Sequence, residues 1–377
     1  IINIFRYYKN QEKFLVIKPA NDLKFLPLVQ NKFVYFKKFN YEMYKLSKNN
    51  FENEKVKNLE DLIFLFFEDQ EKNYKKIHDD LYKDIKKFIV KKKIKKIFWG
   101  LTPTPLMRNV YQSLIKEKFK VYGTQHGGKC FLLKDATVHS DAEFDHCNFY
   151  LSYGVSKNFN YKFIKSKKLN IFNVGALASI LSNKKISNKK NLRNILYLPT
   201  PVSHFHCPLI ETSQVKFLEL QTNICKELDL NSGNNNFIKP ITGSTEDPIF
   251  DNYELLELNP ISSQINKFKN IQLKKYKLRN LLAELKPKII ILDCLSTTIY
   301  EAIESNSEII LFLDTINLPY QDVIKKLSSR VFIVKNLKEM KSIFKKIINK
   351  KISKLNNNEF NREFFHFKEK NFNSLRL

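Results

Sequence analysis

The sequence predicts an α/β fold built as two Rossmann-like halves facing a central cleft, and three observations carry that expectation. Short apolar runs alternate with longer stretches at helical spacing along most of the chain, the grammar of a parallel sheet with crossover helices. The alternation is interrupted once, at Ser182–Asn191 (Ser-Asn-Lys-Lys-Ile-Ser-Asn-Lys-Lys-Asn), which is polar, basic and lacks a face to bury. Two polar turn motifs, Tyr122–Gly128 and Asp293–Glu301, each follow an apolar run, where open parallel sheets present their ligand sites. At 377 residues the chain is long enough for two cores. The expected division is a first domain over residues 1–185, a linker at 186–192, a second domain over 193–350, and a tail or crossing helix over 351–377.

Residues 1–57 are the least legible, with strands expected only at Phe14–Ile17 and Phe33–Phe36. From Leu59 to Lys93 the apolar residues (Leu59, Leu62, Ile63, Phe66, Phe67, then Ile77, Leu81, Ile85, Phe88) recur at helical spacing. Strands follow at Lys95–Gly100 and Phe119–Tyr122, separated by a Thr-Pro-Thr-Pro turn and a helix carrying Leu106, Val110 and Leu114. Phe149–Leu151 and Ile171–Val174 complete the first half. In the second half the expected strands are 194–198, 237–239, 271–273, 289–292, 309–313 and 331–334. The expected helices are 213–228, 278–285, 298–305 and 337–348.

The net charge of +27 invites a nucleic-acid or membrane reading. Its source tempers both. The cations are nearly all lysine, and Lys, Asn, Ile, Phe and Tyr are enriched together while Gly and Arg are scarce, as codons of an AT-biased genome produce. Nucleic acid is therefore not expected as the main partner, whereas peripheral contact with an anionic membrane face is kept as an expectation. Five scattered cysteines without a C-x-x-C pair fit a reducing cytoplasm. A chain opening at Ile1 says nothing of a leader. Leu62–Phe67 is too short to span a bilayer and 289–313 carries four carboxylates, so no transmembrane helix is expected.

Gln125-His126-Gly127-Gly128 has what a catalytic turn needs: glycines that let the backbone approach a substrate, and an imidazole able to take a proton near neutral pH. The competing reading is a structural turn. Ser296-Thr297-Thr298 offers hydroxyls and unpaired amides to an anion. Glu301 either completes a capping box with Thr298 or accepts hydrogen bonds from a ribose. Lys239, ending a strand, is a phosphate contact or a solvated lysine. Thr200, His204 and His206 follow the first strand of the second half and face the expected cleft. The His-x-His pair permits a metal, but no matching acidic or Cys partner is evident, so none is expected. His139, Asp141 and His146 read as loop polarity. A histidine-bearing turn in one half and a hydroxyl-rich helix start in the other suggest a transferase with its site between two lobes.

Taken together these residues resemble a group of surface-carbohydrate biosynthesis transferases marked by a Gln-His-Gly-Gly turn, here Gln125–Gly128, followed by Glu143-Phe144-Asp145, Tyr150–Gly154 and Asn173-Val174-Gly175. The second half resembles CDP-glycerol glycerophosphotransferases and other GT-B glycosyltransferases through Asp293, Ser296, Thr297, Thr298 and Glu301. Two departures are visible: Lys129-Cys130-Phe131 where the family continues into an aromatic-Gly pair, and Lys239-Pro240 in place of His-Pro. The resemblance implies a GT-B fold and a cytoplasmic transferase without metal or other cofactor. It implies a nucleotide-sugar or CDP-alditol donor held by Asp293, Ser296, Thr297, Thr298 and Glu301, to which the reading of the strand ends adds Thr200, His204 and Lys239. The acceptor it implies is a glycan or lipid-linked glycan, with His126 as catalytic base and Gln125, Gly127 and Gly128 shaping the cleft turn.

Overall fold

A computed structural model describes residues 14–17, 33–35, 59–99, 105–125, 130–134, 143–164, 169–176, 191–200, 214–231, 233–240, 261, 264–274, 278–313, 318–354, 357–366, 368 and 371. Its strands form two six-stranded sheets in which every pairing is parallel. The first runs in the order β2-β1-β3-β4-β5-β6, from β1 (Phe14–Ile17), β2 (Phe33–Tyr35), β3 (Lys96–Trp99), β4 (Lys120–Thr124), β5 (Phe149–Ser152) and β6 (Asn170–Asn173). The second runs β12-β11-β10-β7-β8-β9. Its strands are β7 (Asn191–Leu198), β8 (Asn235–Ile238), β9 (Ile271–Leu273), β10 (Pro287–Leu292), β11 (Glu308–Phe312) and β12 (Phe332–Val334). In this second order the chain leaves β7 in one direction and β10 in the other. The crevice beyond their carboxyl ends is therefore a topological switch point.

The helices are α1 (Leu59–Lys92), α2 (Pro105–Lys116), α3 (Gln214–Leu230), α4 (Leu278–Leu285), α5 (Thr298–Glu304), α6 (Gln321–Ser328), α7 (Leu337–Ile348) and α8 (Glu359–Phe364). α6 was not foreseen. Only Val323 and Leu327 of its eight residues are buried, too brief a period to stand out. Within the expected tail, Glu359–Phe364 form the helix α8. The linker expected at 186–192 lies outside the described residues up to 190, and β7 begins at Asn191.

Sheet alternation explains how the second half is buried on both faces. Leu196, Leu198, Ile290, Leu292, Ile309 and Leu311 point into a core that also contains Ile97, Val121 and Tyr150 of the first half. Their alternates, Ile195, Tyr197, Ile289, Ile291, Ile310 and Phe312, point into a separate core beneath α3 and α7. The lobes thus share one apolar cluster. Its seam is aromatic: the ring of Tyr300 on α5 stacks on Phe365 at 4.5 Å, and Tyr153 meets both rings edge-on. α8 fastens this seam, since Asn361 Nδ2 donates to Tyr300 O and Ala176 N donates to Phe365 O, each at 2.8 Å. Gly154 lets α8 come this close; a Cβ there would lie 2.5 Å from the Cα of Phe364.

A second tie joins the lobes at the start of α6. Asp322 accepts from Ser156 Oγ at 2.7 Å and from Lys157 N at 3.0 Å, while Tyr320 N donates to Leu132 O. Among the described residues no helix is long and apolar enough to cross a membrane.

Candidate active site

The second lobe builds its site around a buried carboxylate. β10 is buried along its whole length and apolar from Ile289 to Leu292, then delivers Asp293 just past its end, 4% exposed. Asp293 Oδ2 accepts from Tyr197 Oη and Gln221 Nε2, both at 2.8 Å, and its Oδ1 accepts from Thr200 N at 2.9 Å. Burial pushes the Asp293 carboxyl above the usual range, and the hydrogen bonds from Thr200, Gln221 and Tyr197 pull it back. Both of its oxygens are engaged by the protein, which ties the end of β10 to β7, the turn after it, and α3. Gln221 also donates to Thr200 O at 2.8 Å, which ties α3 to the turn after β7.

That brace shapes a hollow at the switch point, lined by Leu198, Pro199, Thr200, Lys239, Leu278, Ser296 and Thr298. Three different strand ends contribute: Thr200 follows β7, Lys239 follows β8, and Ser296 and Thr298 follow β10. Lys239 is fixed by its own backbone, whose N–H donates to Tyr197 O at 2.9 Å, and its Nζ reaches Pro240 O at 3.2 Å. Burial lowers the Lys239 pKa, and the nearby Glu301 carboxylate works in the opposite direction. A partly desolvated cation at a sheet's carboxyl edge is suited to a phosphate, whose charge would complete the neutralisation that Glu301 begins.

The hydroxyl turn differs from expectation in one respect. Thr297, not Thr298, occupies the N-cap of α5, with helical dihedrals (φ −59°, ψ −28°) and no side-chain capping bond. Thr298 is already helical, and its Oγ1 lies 2.6 Å from Ser296 Oγ. A capping box needs its Ser or Thr in an extended conformation before the helix, so the Thr298–Glu301 pair does not form one. Thr297 is exposed, while Ser296, Thr298 and Glu301 are half-buried.

In the first lobe, Gln125 is buried at the carboxyl end of β4. Its N–H donates to Leu151 O at 2.9 Å and its Oε1 accepts from Tyr153 N at 2.8 Å, joining the ends of β4 and β5. The residues that follow Gln125 in sequence, His126, Gly127 and Gly128, lie outside the described residues, as do His139, Asp141, His204, His206 and Cys207. Gly123 has a clear packing reason: a Cβ there would meet the Trp99 ring at 2.4 Å. In the same lobe, Tyr150 Oη donates to Glu143 Oε2 in a buried pair, and burial holds the Tyr150 hydroxyl well above its ordinary range. His146 is buried, with Nδ1 3.4 Å from Gln112 Nε2. Among the described residues no three His, Cys, Asp or Glu side chains gather as a metal site would need.

Two site residues went unread in the sequence. Gln221 had a usable signal, because it shares the i, i+3, i+4, i+7 stripe of α3 with buried Ile224, Cys225 and Leu228. A glutamine on an otherwise apolar stripe must find a buried partner. Tyr197 sits inside the apolar run of β7, and nothing in that run announced that its hydroxyl would reach Asp293.

Solved structures share the architecture at low sequence identity. A UDP-GlcNAc 2-epimerase from Neisseria meningitidis bound to UDP-GlcNAc matches with a TM-score of 0.52 at 9% identity, over 94% of this chain and 95% of that one. S. aureus MnaA solved with UDP gives 0.50 at 10% identity over 90% and 88%. A sucrose-phosphate synthase from Thermosynechococcus elongatus gives 0.50 at 9% identity over 78% and 76%. These likenesses show the fold, which is GT-B-like: two Rossmann-like domains about a cleft. No curated protein matches the chain by sequence. The family, however, is shown by sequence over most of its length: with residues 2–327 matching the family's model, this chain belongs to the LIC12162 family of transferases.

Proposed function

We propose that the protein transfers a glycosyl group, or an alditol phosphate, from a nucleotide-activated donor to a surface-polysaccharide acceptor without a metal. The observation that carries the proposal is the hollow beyond β7, β8 and β10, where Thr200, Lys239, Ser296 and Thr298 converge at the switch point of the second sheet. Open α/β sheets bind nucleotides at that place. Similar folds have been solved holding UDP and UDP-GlcNAc. Lys239 and the Ser296 and Thr298 hydroxyls supply the charge and donors that a departing diphosphate requires. In this reading Asp293, through Thr200, Tyr197 and Gln221, keeps the walls of the hollow in register. His126, next in sequence to Gln125, serves as general base toward the acceptor hydroxyl.

The test is a thermal-shift panel of CMP, CDP, UDP, GDP and dTDP. One nucleotide at about 100-fold over its dissociation constant stabilises by roughly 2.7 kcal/mol. A selective response that disappears in Thr298→Val supports the donor site; a flat panel on folded protein removes it. With the donor class known, His126→Ala is expected to cut transfer by roughly 10²–10⁴-fold while nucleotide binding persists. Conversion of a nucleotide sugar to its epimer, with no acceptor needed, would replace transfer with epimerisation.

A further inference from the structure

The amino edge of the first sheet, opposite the candidate site, carries a cluster of lysines that the transfer reading does not use. Lys91, Lys92, Lys93 and Lys95 leave the end of α1, and Lys116, Lys118 and Lys120 leave the end of α2; all seven are exposed. The fold brings the two groups side by side. Lys96 and Lys120 are register partners on β3 and β4, and Lys120 N lies 3.5 Å from Lys95 O. Lys86 on α1 pairs with Glu117 beyond α2 at 2.8 Å, which removes the one carboxylate within the second group.

Composition alone does not produce this face. The whole chain holds 65 Lys and Arg against 38 Asp and Glu, whereas here seven exposed lysines meet one glutamate that is already paired. The lysines are also held by rigid backbone. Lys93 and Lys118 sit in left-handed turns (φ 52° and 67°) whose amides cap the two helices through Val90 O and Ile115 O. Val90, 66% exposed, adds an aliphatic side chain to the same turn. We propose that this edge docks the protein on an anionic lipid surface. Lysine ammoniums would meet the headgroups, while their stems and Val90 meet the interfacial region. Nucleic acid fits less well, because the cluster has no arginine fork to read phosphates or bases. The carboxyl edge, about 15 Å away along strands of this length, stays open to donor and acceptor.

The experiment is vesicle co-sedimentation of the full chain, using phosphatidylcholine alone and phosphatidylcholine mixed with phosphatidylglycerol. The expected result is binding to the anionic vesicles only, weakening as salt rises. The Lys91→Gln/Lys95→Gln/Lys116→Gln variant should lose roughly fivefold per lysine, on the order of 10²-fold in all. A control variant, Lys338→Gln/Lys345→Gln/Lys346→Gln on the exposed face of α7, removes equal charge and should keep its binding. Equal loss in both variants, binding to neutral vesicles, or binding to a single-stranded oligonucleotide but not to vesicles would each overturn the proposal. Vesicle binding is read without nucleotide, so it stands or falls separately from the donor site.

Discussion

Removing the Asp293 carboxylate tests the brace beneath the candidate site most directly. In Asp293→Ala, Tyr197 Oη and Thr200 N lose their acceptor and Gln221 Nε2 loses one of its two, all at buried residues. A buried polar group left unsatisfied costs about 1–3 kcal/mol, and partial relaxation among three neighbours brings the sum to about 3–5 kcal/mol. At roughly 2.1 cal/mol/K of unfolding entropy per residue, 377 residues give about 0.8 kcal/mol/K, so Tm should fall by about 4–6 °C. Asp293→Asn retains an acceptor for Tyr197 and Gln221 but turns an amide toward Thr200 N, and should cost about 1–3 kcal/mol. The two variants also differ from the parent in pH dependence. Because the folded Asp293 pKa is raised, the folded state holds its proton above the pH at which the unfolded chain releases it. Stability from this group is therefore greatest at acid pH and falls as pH rises through the folded pKa. The penalty of Asp293→Asn should accordingly grow as pH drops from neutrality toward about 4. Differential scanning fluorimetry across that range, with and without the selected nucleotide, measures both effects. Equal melting of Asp293→Ala and parent would refute the brace, and a penalty that shrinks at acid pH would refute the burial argument.

Other expectations follow from single contacts. Gly154→Ala places a Cβ against the backbone of α8 and should cost about 1–3 kcal/mol, with faster amide exchange at Ala176, whose N–H bonds Phe365 O; unchanged exchange would mean α8 gives way freely. Lys93, Lys118, Lys286 and Lys350 all adopt positive φ at helix ends. Replacing them with glycine relieves a strain of about 1–2 kcal/mol against an entropic loss of about 0.5–1 kcal/mol each. The quadruple variant should gain about 3 kcal/mol in urea unfolding, and a loss would show that their side chains matter more than their backbone. Nucleotide affinity should decline as pH rises through the lowered Lys239 pKa, since the charged form makes the phosphate contact. Lys239→Met should weaken binding at least about tenfold and flatten that dependence, as loss of a charge-assisted bond implies; an unaltered pH profile in titration calorimetry would take Lys239 out of the site.

Local patterns settled a great deal in this chain. The apolar runs that became β7, β10 and β11 are buried on both faces, so they read directly as central parallel strands. Helices such as α4 and α7 were legible at their observed limits because their apolar stripes repeat over complete turns. The polar residues following strands were legible too, because a parallel sheet leaves its carboxyl ends free for chemistry, and Thr200, Lys239, Ser296 and Thr298 do meet there. What the tertiary structure alone decided is how each polar group is spent. Asp293 was legible as an acid at a strand end, yet only the fold shows Tyr197, Gln221 and Thr200 converging on it from separate elements. The same holds for Glu301, whose spacing from Thr298 suits a cap that the helix start does not form, and for α8, whose rings close the seam between lobes. Periodicity is a property of neighbours along the chain, so sequence determines which face of an element is apolar. Hydrogen-bond partnership is a property of neighbours in space, and it is fixed only when elements far apart in sequence are brought together around a common core.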